Sequence, residues 1–412
     1  MEGAALAKLD LRHLLASAEA APPVDAIDVV GRELGRMVGA ARVGLLMANF
    51  SGDAVVRMSH VTVSEDMRDG RNERASSISL AGSVYEQVLL TQEVDVRRVG
   101  TGWNVLVPVT ERGDTIGIVE LTLSRQPEED VVQFLESAAH ALAYVLIASR
   151  RHTDLFEWAQ RDIPFSLAAE IQRRLLPSSY SVEAGPFTLA GWLEPASDVG
   201  GDTFDYSIDR EYLYASITDA MGHSTPAALL ATLTVGSLRN SRRTLASPSE
   251  QAALANTALI EGSGADQFVT GLLLRIRLAD GQLEIVNAGH PPPFQLRDGN
   301  GMLVEIDADL PLGITDTPYD THLVQLEEGD RLVLVTDGFL ERNADGVDIQ
   351  ATLEVTAERH PREIVRELAG NVLHATGGKL RDDATVLCLD WYGPQGRRDA
   401  TAGASRARAT DT

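Results

Sequence analysis

Four aspartates, at positions 202, 219, 337 and 382, each stand where an apolar, strand-like run begins or ends. Asp219 closes the run from Glu211 to Ile217, which is rich in aromatic and β-branched residues. Asp337 follows Arg331-Leu-Val-Leu-Val-Thr336 and precedes Gly338. Asp202 lies in Val199-Gly-Gly-Asp-Thr-Phe-Asp205, where two glycines let the backbone turn sharply. Asp382, with Asp383 beside it, comes before Ala384-Thr-Val-Leu-Cys-Leu389. An ionised carboxylate at the end of a buried strand is costly unless something positive holds it. Taken singly, each is more often a turn or cap residue. Strands of packed sheets can bring all four ends together, and gathered carboxylates become tolerable when hard divalent cations share them. Oxygen-only ligands point to Mg2+ or Mn2+ rather than zinc. Two such ions about 4 Å apart acidify a bridging water and clamp a phosphoryl oxygen, which suits in-line attack on a phosphate ester without a protein nucleophile.

The charge balance fits a cation site and excludes others. With 60 acidic against 36 basic residues the net charge is −24, which disfavours nucleic acid and acidic membrane surfaces as partners. One cysteine, Cys388, excludes a disulfide scaffold and a thiolate cluster; set in an apolar run, it reads as a core residue. The best apolar run, Ala141 to Ala148, is too short to span a bilayer. Glu2, Lys8, Asp10, Arg12 and His13 break any signal-peptide core, so a cytoplasmic protein is expected.

A chain of this length holds two or three domains. The expected organisation is a flexible N-terminus (1–22), an α+β sensor-like domain (23–150), a helical linker (151–177), a second domain (178–391) and a disordered tail (392–412). The first domain reads as helix, two strands around Ser51-Gly-Asp53, helix, hairpin, helix. Its Val107-Pro-Val109 and Ile116-Gly-Ile-Val-Glu-Leu121 hairpin resembles the GAF-type fold, which implies a small-ligand site or only a dimerisation module. Lone His60 reads as an ordinary strand residue. In the linker, apolar positions from Leu155 to Leu176 suggest two amphipathic helices broken at Pro164. They serve either as plain packing or as a lever between domains, and their apolar stripe between Glu129 and Gln172 suggests a homodimer.

Eight ordered motifs then carry a second resemblance: Ala169-Glu-Ile-Gln-Arg-Arg-Leu-Leu-Pro177, Pro195 to Asp205, Asp219-Ala-Met-Gly-His223, Phe268-Val-Thr270, Asn287-Ala-Gly-His-Pro-Pro-Pro293, Pro311-Leu-Gly-Ile314, Thr336-Asp-Gly-Phe-Leu-Glu341 and Asp382-Asp-Ala-Thr385. Together they resemble the bacterial, SpoIIE-like branch of the PPM (type 2C) metal-dependent serine/threonine phosphatases, over about residues 168–390. The resemblance implies an αββα sandwich and a binuclear Mn2+/Mg2+ centre. Asp219 would bridge both ions, the Ala220 carbonyl would serve one, Asp337 and Asp382 would complete the other, and Asp202 would act mainly through bound water. It further implies a phosphorylated anti-sigma-factor antagonist or similar partner-switch protein as substrate. The sequence departs from the family at Thr218 and Ser224, where glycines are usual, and these departures leave a partner-binding pseudophosphatase as an alternative. A hydrolase of small phosphate esters is another. His223 is either a general acid or part of a turn in which Thr225 caps a helix starting at Pro226. His290 reads as a turn residue, and Asp307-Ala-Asp309 as a surface turn.

Overall fold

The computed structural model describes residues 9–49, 54–62, 77–160, 166–196, 200–264, 266–340, 347–378 and 380–397. The Ser51–Asp53 turn, Pro164, Val199, Glu341, the side chain of His60 and the tail from 398 lie outside the described residues. The chain divides into two compact units between Pro164 and Phe165, inside the expected linker.

The first unit contains α1 (Leu11–Ala20), α2 (Ala26–Val38), β1 (Ala40–Ala48), β2 (Ala54–Thr62), β3 (Ser77–Ser79), α3 (Val84–Thr91), β4 (Asp95–Val99), β5 (Gly102–Glu111), β6 (Asp114–Leu123), α4 (Glu129–Ser149) and α5 (Leu155–Ala159). The strands form one antiparallel sheet in the order β3-β2-β1-β6-β5-β4. Side chains alternate across a strand, so β5 serves two cores. Val105, Val107 and Val109 pack with Leu34 of α2 and Leu142 of α4, while Leu106 joins Val88 and Leu89 of α3. Residues 11–20, expected within a flexible N-terminus, instead form α1. Asp10 caps it by accepting from the Arg12 N–H, and Leu14 and Ala18 are buried in the core. Those two residues sit one helical turn apart, a spacing that marks an amphipathic helix.

A second correction concerns α4. By length and composition it is apolar enough to cross a membrane, contrary to the expectation that no segment approaches that length. Its apolar residues have a local use: Leu135, Ala138, Ala139, Leu142, Ala143 and Leu146 are buried against the sheet and its neighbouring helices.

The second unit contains α6 (Leu167–Leu175), β7 (Ser181–Glu183), β8 (Phe187–Glu194), β9 (Thr203–Ile208), β10 (Tyr212–Ala220), α7 (Ser224–Arg242), α8 (Pro248–Gly262), β11 (Val269–Arg277), β12 (Gln282–Ala288), β13 (Phe294–Arg297), β14 (Asn300–Leu303), β15 (His322–Gln325), β16 (Arg331–Val335), α9 (Ile349–Val355), α10 (Pro361–Ala375) and β17 (Ala384–Trp391). Two antiparallel sheets, β15-β12-β11-β10-β9 and β14-β13-β16-β17-β8-β7, face each other. Phe204, Ile217, Leu272, Leu274, Leu334, Leu387 and Trp391 fill the space between them. The outer face of the first sheet packs on α7 and α8 through Leu230, Leu238, Leu259 and Leu273. The outer face of the second packs on α9 and α10 through Val333, Leu353, Leu368 and Val386. This is the expected αββα sandwich, and Cys388 is a buried core residue of β17.

Candidate metal centre

The sandwich brings the four strand-end aspartates to one edge. Asp202 precedes β9 and is fully buried; its Oδ2 accepts the hydroxyls of Thr336 and Thr385, each at 2.7 Å. These threonines stand at the ends of β16 and β17 and bind each other, Thr336 N–H to the Thr385 carbonyl at 3.0 Å and Thr385 N–H to Thr336 Oγ1 at 2.9 Å. Asp219, near the end of β10, is half-buried and lies close enough to Asp202 for each charge to be felt by the other. Asp337 opens a 3-10 turn after β16 and is exposed, and Asp382 lies half-buried just before β17. Asp383, which sequence reasoning treated only as a neighbour, is buried and accepts the backbone N–H groups of Ala196 (2.8 Å) and Gly200 (3.1 Å).

Electrostatically these carboxylates form one cluster. Burial, then Asp337 and Asp382, push Asp219 up to about 7. Burial, then Asp219 and Asp383, hold Asp202 well above the usual carboxylate range, against the two threonine hydroxyls. Desolvation also raises Asp337 and Asp382, each with a second acid reinforcing it; at Asp382, His223 opposes the rise.

No three of the described carboxylate, imidazole or thiol side chains converge on one point as ligands. The donor set nevertheless fits a hard divalent ion: carboxylates that burden one another and a backbone carbonyl, with no sulfur. Gly201 makes room for that carbonyl, because a Cβ at 201 would stand 2.6 Å from the oxygen of Ala220.

Thr218, where the family has glycine, leaves β10 undistorted. Its register continues through Thr218↔Gly271 on one side and Thr218↔Thr203 on the other, and the two threonine hydroxyls hydrogen-bond at 2.6 Å. The added bulk occupies space left by a glycine opposite: a Cβ at Gly271 would meet Thr218 Cγ2 at 3.0 Å. Gly271→Ala is therefore expected to cost about 1–3 kcal/mol. The loss should shrink when Thr218→Gly is added, and urea melts of the single and double variants check it.

Ser224 sits at φ +64°, a left-handed conformation that costs a side-chain-bearing residue about 1 kcal/mol. Ser224→Gly should raise stability by about that amount; a lower urea midpoint would contradict this. The helix α7 begins at Ser224, ahead of the Thr225 cap expected from sequence, and its first turn has no side-chain cap from His223. His223 is exposed at the rim, its Nδ1 3.1 Å from Ser224 Oγ.

His290 is buried, with Nδ1 2.9 Å from Thr270 Oγ1 and its backbone N–H donating to Asn287 Oδ1 at 2.8 Å. Burial holds it down at about 4, as it does His360 beside Glu183. Unfolding returns both to about 6.5. Between these values the unfolded chain binds the extra protons, so stability falls as pH drops from about 6.5 toward 4. Each histidine should cost about 2 kcal/mol between pH 7 and pH 5; an unchanged urea midpoint across that range would refute the assignment. Asp309, expected in a surface turn, instead forms an isolated β-bridge with Ala288 and accepts the Asp320 N–H at 2.9 Å.

A two-sheet sandwich flanked by helices, with strand-end carboxylates gathered at one edge, is the arrangement that the PPM resemblance leads one to expect. Residues 209–392 match the family model of stage II sporulation protein E, and the chain carries a SpoIIE-type phosphatase domain. It is 26% identical over 274 residues to the phosphoserine phosphatase RsbU of Bacillus subtilis, covering 63% of this chain and 80% of RsbU. Stage II sporulation protein E of the same organism is 25% identical over 198 residues, 46% of this chain and 24% of that protein. Among solved structures, the RsbU and RsbW domains of a Mycobacterium tuberculosis protein align with a TM-score of 0.48 and 23% identity, over 52% of this chain and 63% of that one.

Proposed function

We propose that this chain is a phosphoserine/phosphothreonine protein phosphatase with a binuclear Mn2+ or Mg2+ centre. The observation that carries it is the placing of Asp202, Asp219, Asp337 and Asp382 at one edge of the sandwich, where desolvation and neighbouring acids raise each above the usual carboxylate range. In this reading Asp219, Asp337, Asp382 and the Ala220 carbonyl would hold the ions, and Asp202 would orient water beside them. When bound, such ions supply Lewis acidity, lowering the pKa of water and neutralising phosphate charge. The chain's own residues do the rest. Thr336 and Thr385 fix the Asp202 carboxylate in one orientation, ready to hold a water proton. Exposed Asp337 and His223 line the open side through which a phosphorylated side chain would enter, and His223 is placed to return a proton to the leaving oxygen.

The substrate is a phosphorylated anti-sigma-factor antagonist-like protein, a reading supported by the likeness to RsbU. The first unit acts as a GAF-like sensor for a small ligand in a cytoplasmic homodimer; its single sheet with helices on both faces and the exposed Tyr144 and Leu155 support this. Thr218 and Ser224, which favoured a pseudophosphatase, leave all four acids in place. Purified protein should hydrolyse a phosphoserine protein with Mn2+ and fall silent in EDTA. Equal rates in EDTA would sink the proposal, and faster turnover of small esters than of phosphoprotein would redirect the substrate.

A further inference from the structure

Gln172 lies on α6 and is buried, 3% exposed. Its carboxamide nitrogen donates to Asp383 Oδ2 at 2.6 Å and to the Asp202 backbone carbonyl at 2.9 Å. Asp383 also accepts the Ala196 and Gly200 N–H groups, and its own N–H donates to the Asp382 carboxylate at 2.9 Å. One side chain from outside both sheets thus ties together the backbone that presents Asp202 and the carboxylate adjoining Asp382. The helix that carries it is itself held. Arg239 donates to the Leu175 carbonyl at 2.5 Å and binds both oxygens of Asp205 at 3.0 Å, and Arg242 reaches Asp205 at 2.8 Å.

We propose that Gln172 is a positioning residue for the metal centre: by bridging Asp383 and the Asp202 carbonyl it sets the spacing of the Asp202 and Asp382 ligands. This rests on the reading above only in taking those aspartates as cation ligands. A planar amide offers two N–H donors at a fixed angle, so both partners are located relative to α6 by one rigid group. Without it, a buried carboxylate loses a donor and a buried carbonyl loses a partner, and both must shift to find replacements. Partners that orient metal ligands commonly alter affinity 10- to 100-fold.

The test uses the full chain freed of metal by EDTA, then titrated calorimetrically with MnCl2. Hydrogen exchange at the Ala196 and Gly200 amides is followed in the metal-free state. Gln172→Met keeps the length of the side chain and removes its donors. We expect its Mn2+ Kd to rise about 10-fold or more, with faster exchange at those two amides and unchanged protection in β11. A variant with Mn2+ affinity within about twofold of wild type and unaltered exchange overturns the role of Gln172. A wild-type chain that takes up no Mn2+ refutes the metal-site reading instead. Should the Met variant not fold, Gln172→Leu, which also lacks a donor, is read by the same exchange measurement.

Discussion

Asp219→Ala is expected to lower Mn2+-dependent phosphate release by about 1,000-fold or more, equivalent to about 4 kcal/mol of transition-state stabilisation. Asp219 lies within the fields of Asp337, Asp382 and Asp383, and its own charge raises Asp202. The same change should stabilise the metal-free protein. The folded pKa of Asp219 is raised to about 7, above its ordinary 3.8. The unfolded chain therefore sheds this proton first, and the fold is penalised as pH rises through that window, in full above 7. Removing the carboxylate removes the penalty. Thermal melts in EDTA at pH 8 should show a higher Tm for Asp219→Ala than for wild type, alongside the lost turnover. Retained turnover, or a lower Tm in EDTA, would contradict the role given to this residue.

The second large effect lies at the opposite end of the same sheet. Arg331 begins β16 and stands directly across from Asp390 of β17 in the strand register. Both side chains are 2% exposed; Arg331 Nε and Nη2 meet the two Asp390 oxygens at 2.6 and 2.9 Å, and the remaining donors reach the carbonyls of Thr356 and Arg359. Burial alone would lower the arginine's pKa, but Asp390 holds it above its ordinary value. Arg331→Ala strands a buried carboxylate, which costs about 3–5 kcal/mol. Because β16 and β17 end at Thr336–Asp337 and Asp382–Asp383, the register pinned by this pair also sets which residues face the centre. Urea denaturation measures the loss; a change below about 1 kcal/mol would show that the pair is dispensable.

The strands and their acids were legible because strands announce themselves locally. Arg331 to Val335 and Ala384 to Leu389 are uninterrupted apolar runs, and each is a buried central strand with aspartate at its site end. The motif words specified the sandwich in outline. The helix α1 is hard to read locally because polar Arg12, His13 and Glu19 dilute a stripe of which Leu14 and Ala18 are buried and Leu11 partly so. The apolar length of α4 was undercounted because Glu136 and His140 interrupt it.

What the sequence determined alone was the inventory: acids at strand ends, oxygen donors only, glycines beside them, and two departures at Thr218 and Ser224. Tertiary structure alone decided how these combine. Thr218 is accommodated because Gly271 happens to pair across from it, a register fact with no local signature. Ser224 keeps a conformation that favours glycine. Gln172 reads in sequence as one polar residue on an amphipathic helix, and only packing turns it inward to Asp383, 211 positions away. Local periodicity reports which face of an element is apolar; it carries no information about which distant polar group will meet a buried one. That pairing is settled by the closing of the sandwich, where every buried donor and acceptor must find a partner.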